Sequence, residues 1–409
     1  MRLFFFVIFL LLIEIYAYQA FRTGTQSKYV RGVYLIVSLF VLVYFIHSLY
    51  TFDRSLGQTN KTLYAFGIFL TFLIPKLLLT VMMLGEDIFR FTESVFKRFV
   101  FSSGEEKIQF LVARRKFLSQ LALGAAALPF ISVLYGIIKG KYDFRILKHT
   151  LYFDDLPEAF DGFVIKQISD LHSGSFDNKE KIKYGVQLID SIAADLMVFT
   201  GDIVNTRAEE MHPWIEMFAQ IQTPTYGKFA VLGNHDYGEY VSWPSQAHKE
   251  DNFNAIKKLY AQIGHQLLLN EHVFIEKNGA RLALVGVENW GRNFKQAGDL
   301  ELASAGLTEK DFKILLSHDP SHWDEEVKSH PKNFQLTLSG HTHGLQFGIE
   351  IPGFLKWSPV QYVYKQWAGI YAHHQRLINV NRGFGFHAYS GRVGIWPEIT
   401  EITLRKKKM

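Results

Sequence analysis

The first 140 residues are dominated by four apolar runs that are long enough to cross a lipid bilayer. A spanning helix needs about 20 predominantly apolar residues, and only helices and closed barrels satisfy every backbone polar group in lipid. No small-residue cleavage pattern follows the first run, which disfavours a cleaved signal peptide. We therefore predict a membrane domain over residues 1–145, with about four transmembrane helices at residues 3–21, 30–50, 63–84 and 117–138.

The basic residues between these runs predict the orientation of the helices. Short loops rich in lysine and arginine stay in the cytoplasm. Such residues cluster between the first and second runs and between the third and fourth, whereas only Arg54 and Lys61 lie between the second and third. We expect an integral protein of the cell inner or plasma membrane whose chain is extracytoplasmic after about residue 140, although basic residues at 139–148 oppose this orientation.

Charged residues in or beside the runs leave two interpretations open. Arg114-Arg115 before the fourth run resembles a twin-arginine export signal, or it anchors the cytoplasmic end of a helix. Glu14 and Lys76 lie inside apolar runs, where an ionisable group suggests function. Glu14 is close to the end of its run and Lys76 can extend its ammonium group toward the interface, so we expect no functional role.

Composition excludes several classes of function. The chain has no cysteine, which rules out thiolate catalysis, disulfides and cysteine-ligated zinc. Its net charge of +5 forms no broad basic patch, so no nucleic-acid binding is expected.

From about residue 160 the sequence changes to short apolar runs that each end in polar residues. Runs of this length, rich in β-branched and aromatic residues and alternating with helical stretches, are typical of buried strands in an α/β fold. The polar groups that follow them are aspartate, asparagine and histidine, a donor set that suits Mn, Fe, Zn or Mg. The five motifs are Asp170-Leu171-His172, Gly201-Asp202, Gly233-Asn234-His235-Asp236, Ser317-His318 and Gly340-His341-Thr342-His343.

These motifs, in this order, resemble the calcineurin-like metallophosphoesterase superfamily over about residues 160–405. The tail from Asn381 to Ile399 is similar to a bacterial subgroup of membrane-associated or exported phosphoesterases that includes enzymes tested on lipid-linked UDP-sugars. The resemblance implies a four-layer αββα sandwich over residues 146–409, following the N-terminal bundle of helices. It also implies a binuclear metal centre, with manganese as the first choice and Fe, Zn or Mg as alternatives.

The resemblance further implies a role for each motif residue. Asp170, His172 and His343 would hold the first ion. Asp202 would bridge both ions, and Asn234, His318 and His341 would hold the second. His235 would contact the substrate phosphate and protonate the leaving oxygen, oriented by Asp236. Many members carry Asp and Arg where this chain has Asn205 and Thr206, so the support around the ligands is expected to differ.

Regions between and after the motifs are candidates for substrate selection. Residues 347–375 are rich in aromatics and could form a lip that rests on lipid, or could simply cover the sandwich. Arg382, His387 and Arg392 could bind a second phosphate or a head group, or could be ordinary surface residues.

These features predict hydrolysis of a phosphomonoester, phosphodiester or pyrophosphate by metal-activated water, on a substrate at or near the membrane. The substrate could be lipid-linked, for example a UDP-sugar lipid pyrophosphate. Two alternatives are a noncatalytic membrane scaffold that retains the metal-binding domain and a transporter with an attached enzyme. The complete ligand set opposes the scaffold, and the low polarity of the helices opposes a transport path. The sequence leaves the oligomeric state open.

Overall fold

The structure, a computed structural model, describes residues 2–100, 107–351 and 353–407. It divides into two compact units, Met1–Phe52 with Tyr64–Tyr135, and Asp53–Leu63 with Gly136–Met409. The sequence suggested one boundary near residue 145. The structural boundary lies nearer residue 136. The short loop between the second and third helices belongs to the second unit, because its backbone forms hydrogen bonds there. For example, the Ser242 N–H donates to the Arg54 carbonyl at 2.9 Å.

The first unit consists of four helices that contain the four predicted runs. Each helix includes a segment long and apolar enough to cross a membrane, and many of its large apolar side chains are exposed, including Ile36 and Phe40. Such surfaces suit contact with lipid rather than water. The helices are α1 Arg2–Gly24, α2 Lys28–Tyr50, α3 Asn60–Val100 and α4 Lys107–Ile138.

Glu14 and Lys76 form an ion pair between α1 and α3. The Lys76 ammonium lies 2.6 Å from Glu14 Oε2, and Ser38 of α2 donates to the same oxygen at 2.7 Å. Our expectation that Lys76 extends toward the interface is therefore wrong. Inside an apolar bundle, an ion pair stabilises both charged groups better than leaving each of them without a partner of opposite charge.

We expect Lys76→Met to destabilise the helical unit by about 2–3 kcal/mol, because it leaves a partly buried carboxylate without its cation. Replacing both partners, as Glu14→Leu with Lys76→Met, should recover most of the loss. Thermal unfolding of the full chain in detergent measures both effects. A double variant as unstable as the single one would show that the pair itself is not the cause.

Arg114 and Arg115 bind acidic residues of α3 within the first unit. Arg115 lies 2.5 Å from Asp87 and 3.1 Å from Glu86, and its other nitrogen donates to Gln19 at 2.7 Å. Arg114 lies 3.6 Å from Glu86. These contacts are those expected of arginines that anchor a helix, and recognition as an export signal stays a hypothesis.

The second unit is an α/β domain in which two six-stranded sheets carry most of the chain. The first sheet has the order β1-β14-β2-β3-β4-β5 and the second β12-β13-β9-β8-β7-β6, and β10 pairs with β11 as a separate hairpin. The strands are β1 Arg145–Phe153, β2 Val164–Ile168, β3 Leu196–Phe199, β4 Lys228–Ala230, β5 Gln266–Leu267, β6 Glu271–Lys277, β7 Ala280–Gly286, β8 Lys313–Leu316, β9 Leu336–Ser339, β10 Ile349–Ile351, β11 Leu355–Trp357, β12 Gly369–His373, β13 Arg376–Val380 and β14 Glu398–Lys406. The helices are α5 Lys179–Asp190, α6 Ile215–Ala219, α7 Gln246–Gln262, α8 Leu300–Ala303 and α9 Pro320–Glu325.

Three apolar clusters show how these elements pack. One joins inward side chains of both sheets, such as Ile165 of β2 and Leu316 of β8. A second packs α5, α6 and α7 against the first sheet, and a third packs α8 and α9 against the second. The predicted fold class, four apolar helices followed by an α/β domain, is confirmed, and the distribution of the clusters supports the four-layer description.

Strand direction determines where the polar motifs gather. β2, β3 and β4 run parallel to one another, as do β8 and β9. The carboxyl ends of parallel strands meet at one edge of a sheet, which is where open α/β folds place their sites. All five predicted motifs follow the carboxyl end of one of these strands.

Candidate metal centre

The structure brings all the predicted metal ligands together at these strand ends. Asp170, His172, Asp202, His318 and His343 are at most 1% exposed. Asn234 is also buried, whereas His341 and the predicted acid His235 are partly accessible. A group of aspartate and histidine side chains with so little access to water needs counter-charges or a bound cation.

The backbone at the predicted ligands adopts an uncommon conformation. Five of them have positive φ, a conformation that non-glycine residues rarely adopt and that clusters at functional sites. The neighbouring glycines are needed because a Cβ at Gly340 would collide with Ser169 and Asp170, and one at Gly233 would collide with Asp202. The five φ values are Asp170 54°, His172 48°, Asp202 61°, His341 75° and His343 49°.

The side chains predicted for the first ion lie close to carboxylate oxygens. His343 Nε2 lies 3.2 Å from Asp170 Oδ1, and His172 Nε2 lies 3.6 Å from Asp202 Oδ2. Both Nε2 atoms are buried, and apart from these carboxylates neither has a hydrogen-bond partner among the described residues. Two unpartnered imidazole nitrogens beside carboxylates fit a divalent metal ion, which takes nitrogen and oxygen ligands.

The side chains predicted for the second ion converge on Asn234. Its Oδ1 lies 3.1 Å from His318 Nε2 and 2.8 Å from His341 Nδ1. His318 Nε2 is also 3.1 Å from Asp202 Oδ2. Asp202 thus belongs to two groups of metal-competent side chains, one with His172 and His235 and one with His318 and His341.

Hydrogen bonds orient the imidazoles by occupying the other ring nitrogen. His172 Nδ1 lies 3.1 Å from the Asn205 side-chain oxygen, and His318 Nδ1 lies 2.6 Å from the Thr200 carbonyl. Donation from Nδ1 leaves Nε2 as the nitrogen with a free lone pair, which is how proteins fix the tautomer of metal-binding histidines. Asn205, which stands where the resemblance implies an aspartate, therefore still supports the predicted ligand His172.

Electrostatics favours the metal-binding ionisation states of His172 and Asp202, whereas His318 is protonated in the absence of a cation. Burial lowers the pKa of His172 well below its ordinary value, helped by the nearby His387 and His235, so the ring is neutral. Burial opposes ionisation of Asp202, but His318 and His235 hold its pKa well below the usual range. Burial alone would lower the pKa of His318, whereas the adjacent Asp202 carboxylate raises it to about 10. A cation bound there would displace this proton.

Asp236 contacts a different set of groups from those expected of a residue that orients His235. Its fully buried carboxylate accepts hydrogen bonds from the backbone of Asp202 at 3.1 Å, Ile203 at 3.0 Å and Gly233 at 2.9 Å, and from the Tyr260 hydroxyl at 2.8 Å. These bonds fix the turn that carries Asp202.

His235 takes its orientation from other neighbours. Its Nδ1 lies 2.7 Å from the Asn205 carbonyl oxygen, and its backbone N–H donates to Asp202 Oδ1 at 2.8 Å. The Tyr240 ring lies over it, with centroids 4.3 Å apart. The Asn205 carbonyl therefore makes the orienting contact with His235 that the resemblance implied for Asp236.

Three residues near the cluster were not expected there from the sequence. Tyr364 places its hydroxyl 2.8 Å from His341 Nε2 and 3.3 Å from Asp319 Oδ2, and Asp319 itself lies 3.4 Å from His341. His387, which the sequence suggested as a ligand of a second phosphate or a head group or as a surface residue, forms a group of metal-competent side chains with His172 and His343. For Tyr364 and Asp319 the only available signal was proximity to a motif.

Arg382 and Arg392 lie beneath the site rather than on the surface. Arg382 pairs with Glu398 at 2.5 Å and Glu350 at 2.6 Å. Arg392 is fully buried, donates to the Gly385 carbonyl and lies 3.0 Å from His343 Nδ1. The suggestion that these arginines are ordinary surface residues is wrong, because Arg382 is 5% exposed and Arg392 is fully buried. Binding of a second phosphate or a head group by them stays a prediction.

Comparisons with known proteins agree with this description. Residues 1–141 match the family model described as "Probable Calcineurin-like phosphoesterase, transmembrane domain", and residues 163–345 match "Calcineurin-like phosphoesterase". The chain is 30% identical over 301 residues to the uncharacterized metallophosphoesterase YkuE of Bacillus subtilis, covering 72% of this chain and 98% of that protein. It is 25% identical over 287 residues to a transmembrane protein with metallophosphoesterase domain of Danio rerio, covering 68% of this chain and 61% of that protein.

The likeness therefore extends over both the helical unit and the α/β unit, and the resemblance inferred from the motifs is confirmed. Members of this family use divalent metal ions, and the buried histidines and aspartates can bind them. The chain belongs to the calcineurin-like phosphoesterases and is an integral membrane phosphoester hydrolase.

Proposed function

We propose that this protein hydrolyses a phosphoester or pyrophosphate bond at a binuclear metal centre. Asp170, His172 and His343 would hold the first ion, and Asn234, His318 and His341 the second, with Asp202 shared. Manganese is our first choice, since all donors are oxygen or nitrogen, with Fe, Zn and Mg as alternatives. The buried, unpartnered Nε2 atoms of His172 and His343 are the observation that carries the proposal.

When bound, two divalent cations activate water and stabilise charge on the attacking and leaving oxygens. Asp202 places one carboxylate oxygen near His318 and the other on the His235 backbone N–H, so it links the two ligand groups. His235 donates Nδ1–H to the Asn205 carbonyl, so when the ring carries a second proton, on Nε2, that proton can be given to the leaving oxygen. Asp236 positions the Asp202 turn.

We expect His235→Ala to lower kcat by about 10²–10⁴-fold, the usual contribution of a general acid. The assay is hydrolysis of an aryl phosphodiester by the full chain in detergent with Mn²⁺, together with metal analysis. Both ions should remain bound, because other residues supply the proposed ligands. The matched control is His248→Ala, an exposed histidine of α7, which should behave as the wild type.

Two results would oppose the proposal. One is a wild-type protein that binds metal but hydrolyses no phosphomonoester, phosphodiester or pyrophosphate with any of the four metals. The other is unchanged kcat in His235→Ala. A noncatalytic scaffold would give the first result.

We further propose a substrate carried by lipid. Leu345, the hairpin β10–β11 and the segment after the hairpin expose several large apolar side chains, and exposed apolar patches mark surfaces that bind lipid or protein. Leu345 follows the ligand His343 by two residues, and Tyr364 contacts His341, so the patch begins at the cluster. Its exposed members include Leu345 53%, Phe354 84%, Tyr362 78% and Val363 61%.

Other aromatics of residues 347–375 cover the fold instead. Trp367 is 4% exposed and belongs to a small apolar cluster with Val360 and Ile395. We therefore propose the lipid-contacting lip for the exposed residues of this region, and a role in covering the sandwich for buried ones such as Trp367. A lipid phosphodiester or a UDP-sugar lipid pyrophosphate would suit the exposed set.

Replacing Phe354 and Tyr362 together by serine should lower hydrolysis of a lipid phosphodiester in mixed micelles by about tenfold or more. Burying one large apolar side chain contributes roughly 1.5–3 kcal/mol. Hydrolysis of a soluble aryl phosphodiester should be unchanged, and Tyr184→Ser, at a residue of α5 that is 52% exposed, should alter neither rate. Equal loss on both substrates would contradict lipid recognition by the hairpin.

The proposed location is the inner or plasma membrane with the α/β domain extracytoplasmic. The distribution of basic residues supports this side of the membrane. The loop Asp53–Leu63 packs within the α/β unit, which agrees with the expectation that this loop and the domain share one side.

A further inference from the structure

His387 lies among the histidines of the first candidate site, although it belongs to none of the five motifs. Its ring centroid is 4.5 Å from that of His172, 4.8 Å from that of His343 and 5.2 Å from that of His235. It follows β13 in the turn that leads to the buried Arg392. The imidazoles of His172, His343 and His387, together with that of the predicted acid His235, therefore surround one small volume.

Ligand atoms of His172, His343 and His387 all lie within 4.8 Å of one another, a spacing at which they could bind one ion. This group is distinct from Asp202, His318 and His341, so His387 would add a ligand to the first site and leave the second unchanged. The unpartnered Nε2 atoms of His172 and His343 lie in the same group.

The backbone at His387 is held from two directions. Its N–H donates to Gln346 Oε1 at 2.6 Å, and Gln346 follows the ligand His343 by three residues. The next residue, Ala388, has φ of 63°, an uncommon conformation for alanine, and its N–H donates to Gln58 Oε1 at 3.1 Å. Gln58 belongs to the loop Asp53–Leu63, which joins α2 to α3.

The same loop contacts two other segments beside the site. Ser55 accepts a hydrogen bond from Arg207 at 2.5 Å, two residues after Asn205, which orients both His172 and His235. The Arg54 carbonyl accepts a hydrogen bond from the Ser242 backbone N–H, two residues after Tyr240, whose ring centroid lies 4.3 Å from that of His235. The Leu63 carbonyl accepts from Ser390 at 3.3 Å, in the turn of His387.

We propose that His387 is a further ligand of the first metal ion and that Gln58 of the interhelical loop positions it. The inference rests on the proposed binuclear centre and deepens it. The chain would thereby couple the first metal site to a loop that is continuous at both ends with membrane helices.

The first test compares His387→Ala and His387→Phe with the wild type in the full chain loaded with Mn²⁺. The phenylalanine keeps a ring against His172 but has no nitrogen. Both variants should lose affinity for one of the two ions by about tenfold or more, of the order seen when a metal site loses supporting groups. Pulsed electron paramagnetic resonance should detect one fewer nitrogen coupled to manganese, and His248→Ala should match the wild type.

Unchanged metal affinity and nitrogen coupling in both variants would overturn the assignment. So would a change confined to KM, which would place His387 on the substrate instead. These readouts need no turnover, so they remain decisive if the wild type proves inactive and the proposed hydrolysis fails.

The second test addresses the loop. Gln58→Leu removes the acceptor of the Ala388 N–H, whereas Gln58→Glu keeps an oxygen there. The leucine variant should bind one ion more weakly, with an unchanged unfolding temperature. The glutamate variant should bind both ions as tightly as the wild type. Equal affinity in both variants and the wild type would overturn the positioning role.

Discussion

Asp202→Asn should lower kcat/KM for an aryl phosphodiester by about 10³-fold or more, and the purified protein should retain fewer than two ions. Asp202 is the carboxylate shared by two of the metal-competent groups found among the described residues, one of which contains His172 and the other His318 and His341. Metal stabilisation of a phosphoryl transition state contributes several kcal/mol, and about 4 kcal/mol corresponds to a thousandfold change in rate.

The asparagine substitution is chosen because it keeps the shape of the side chain. One oxygen can still accept the His235 backbone N–H, which is 2.8 Å away, so the local turn should survive. The negative charge beside His318 and His172 is lost, and with it the attraction for a cation shared between the two groups. Metal analysis and steady-state kinetics on the same preparation separate lost binding from lost turnover.

Asp251→Asn, at an exposed position of α7, is the matched control for the loss of one carboxylate. It should leave both metal content and kinetics unchanged. If Asp202→Asn retains two ions and nearly full activity, Asp202 does not bridge them, and the proposed arrangement of the centre fails.

Much of the fold could be predicted from local patterns. The four helices follow from the length of their apolar runs, and the gathering of ligands follows from polar residues placed after parallel strands. Pairings between distant segments could not be predicted. β14 lies between β1 and β2, parallel to one and antiparallel to the other. Glu14 pairs with Lys76 across helices. Neither arrangement leaves a periodic signal.

The candidate site shows the same division between local and distant effects. Motif residues were found because each carries metal-competent chemistry at a strand end. His387 was not singled out as a metal ligand, since a lone histidine in a turn has no distinguishing spacing. The loop Asp53–Leu63 appeared to be a plain connection between helices, because the hydrogen bonds that place it beside the site, with Arg207, Ser242, Ala388 and Ser390, join segments far apart in the sequence.

Asp236 illustrates how sequence proximity can mislead. It follows His235 directly, which suggested that it orients the histidine. In the 3-10 turn Asn234–Tyr237, His235 is partly accessible whereas Asp236 is buried. A carboxylate with several donors in the interior is better suited to holding a turn than to moving protons.

Asp236→Ala should therefore destabilise the α/β unit by about 3–5 kcal/mol, because three backbone N–H groups and the Tyr260 hydroxyl lose their buried acceptor. At about 2–4 °C per kcal/mol for a domain of this size class, the unfolding temperature should fall by at least about 6 °C. Tyr260→Phe removes only one of the four bonds and should cost about 1 kcal/mol.

Thermal unfolding of the full chain, followed by the near-ultraviolet circular dichroism of its aromatic residues, measures this difference. Metal affinity should fall together with stability in Asp236→Ala, since the Asp202 turn depends on the same carboxylate. The opposite pattern, native stability and metal content with hydrolysis abolished, would mean that Asp236 takes part in proton transfer with its neighbour His235. Such a result would show that Asp236 acts on the adjacent His235 rather than through its hydrogen bonds to the Asp202 turn.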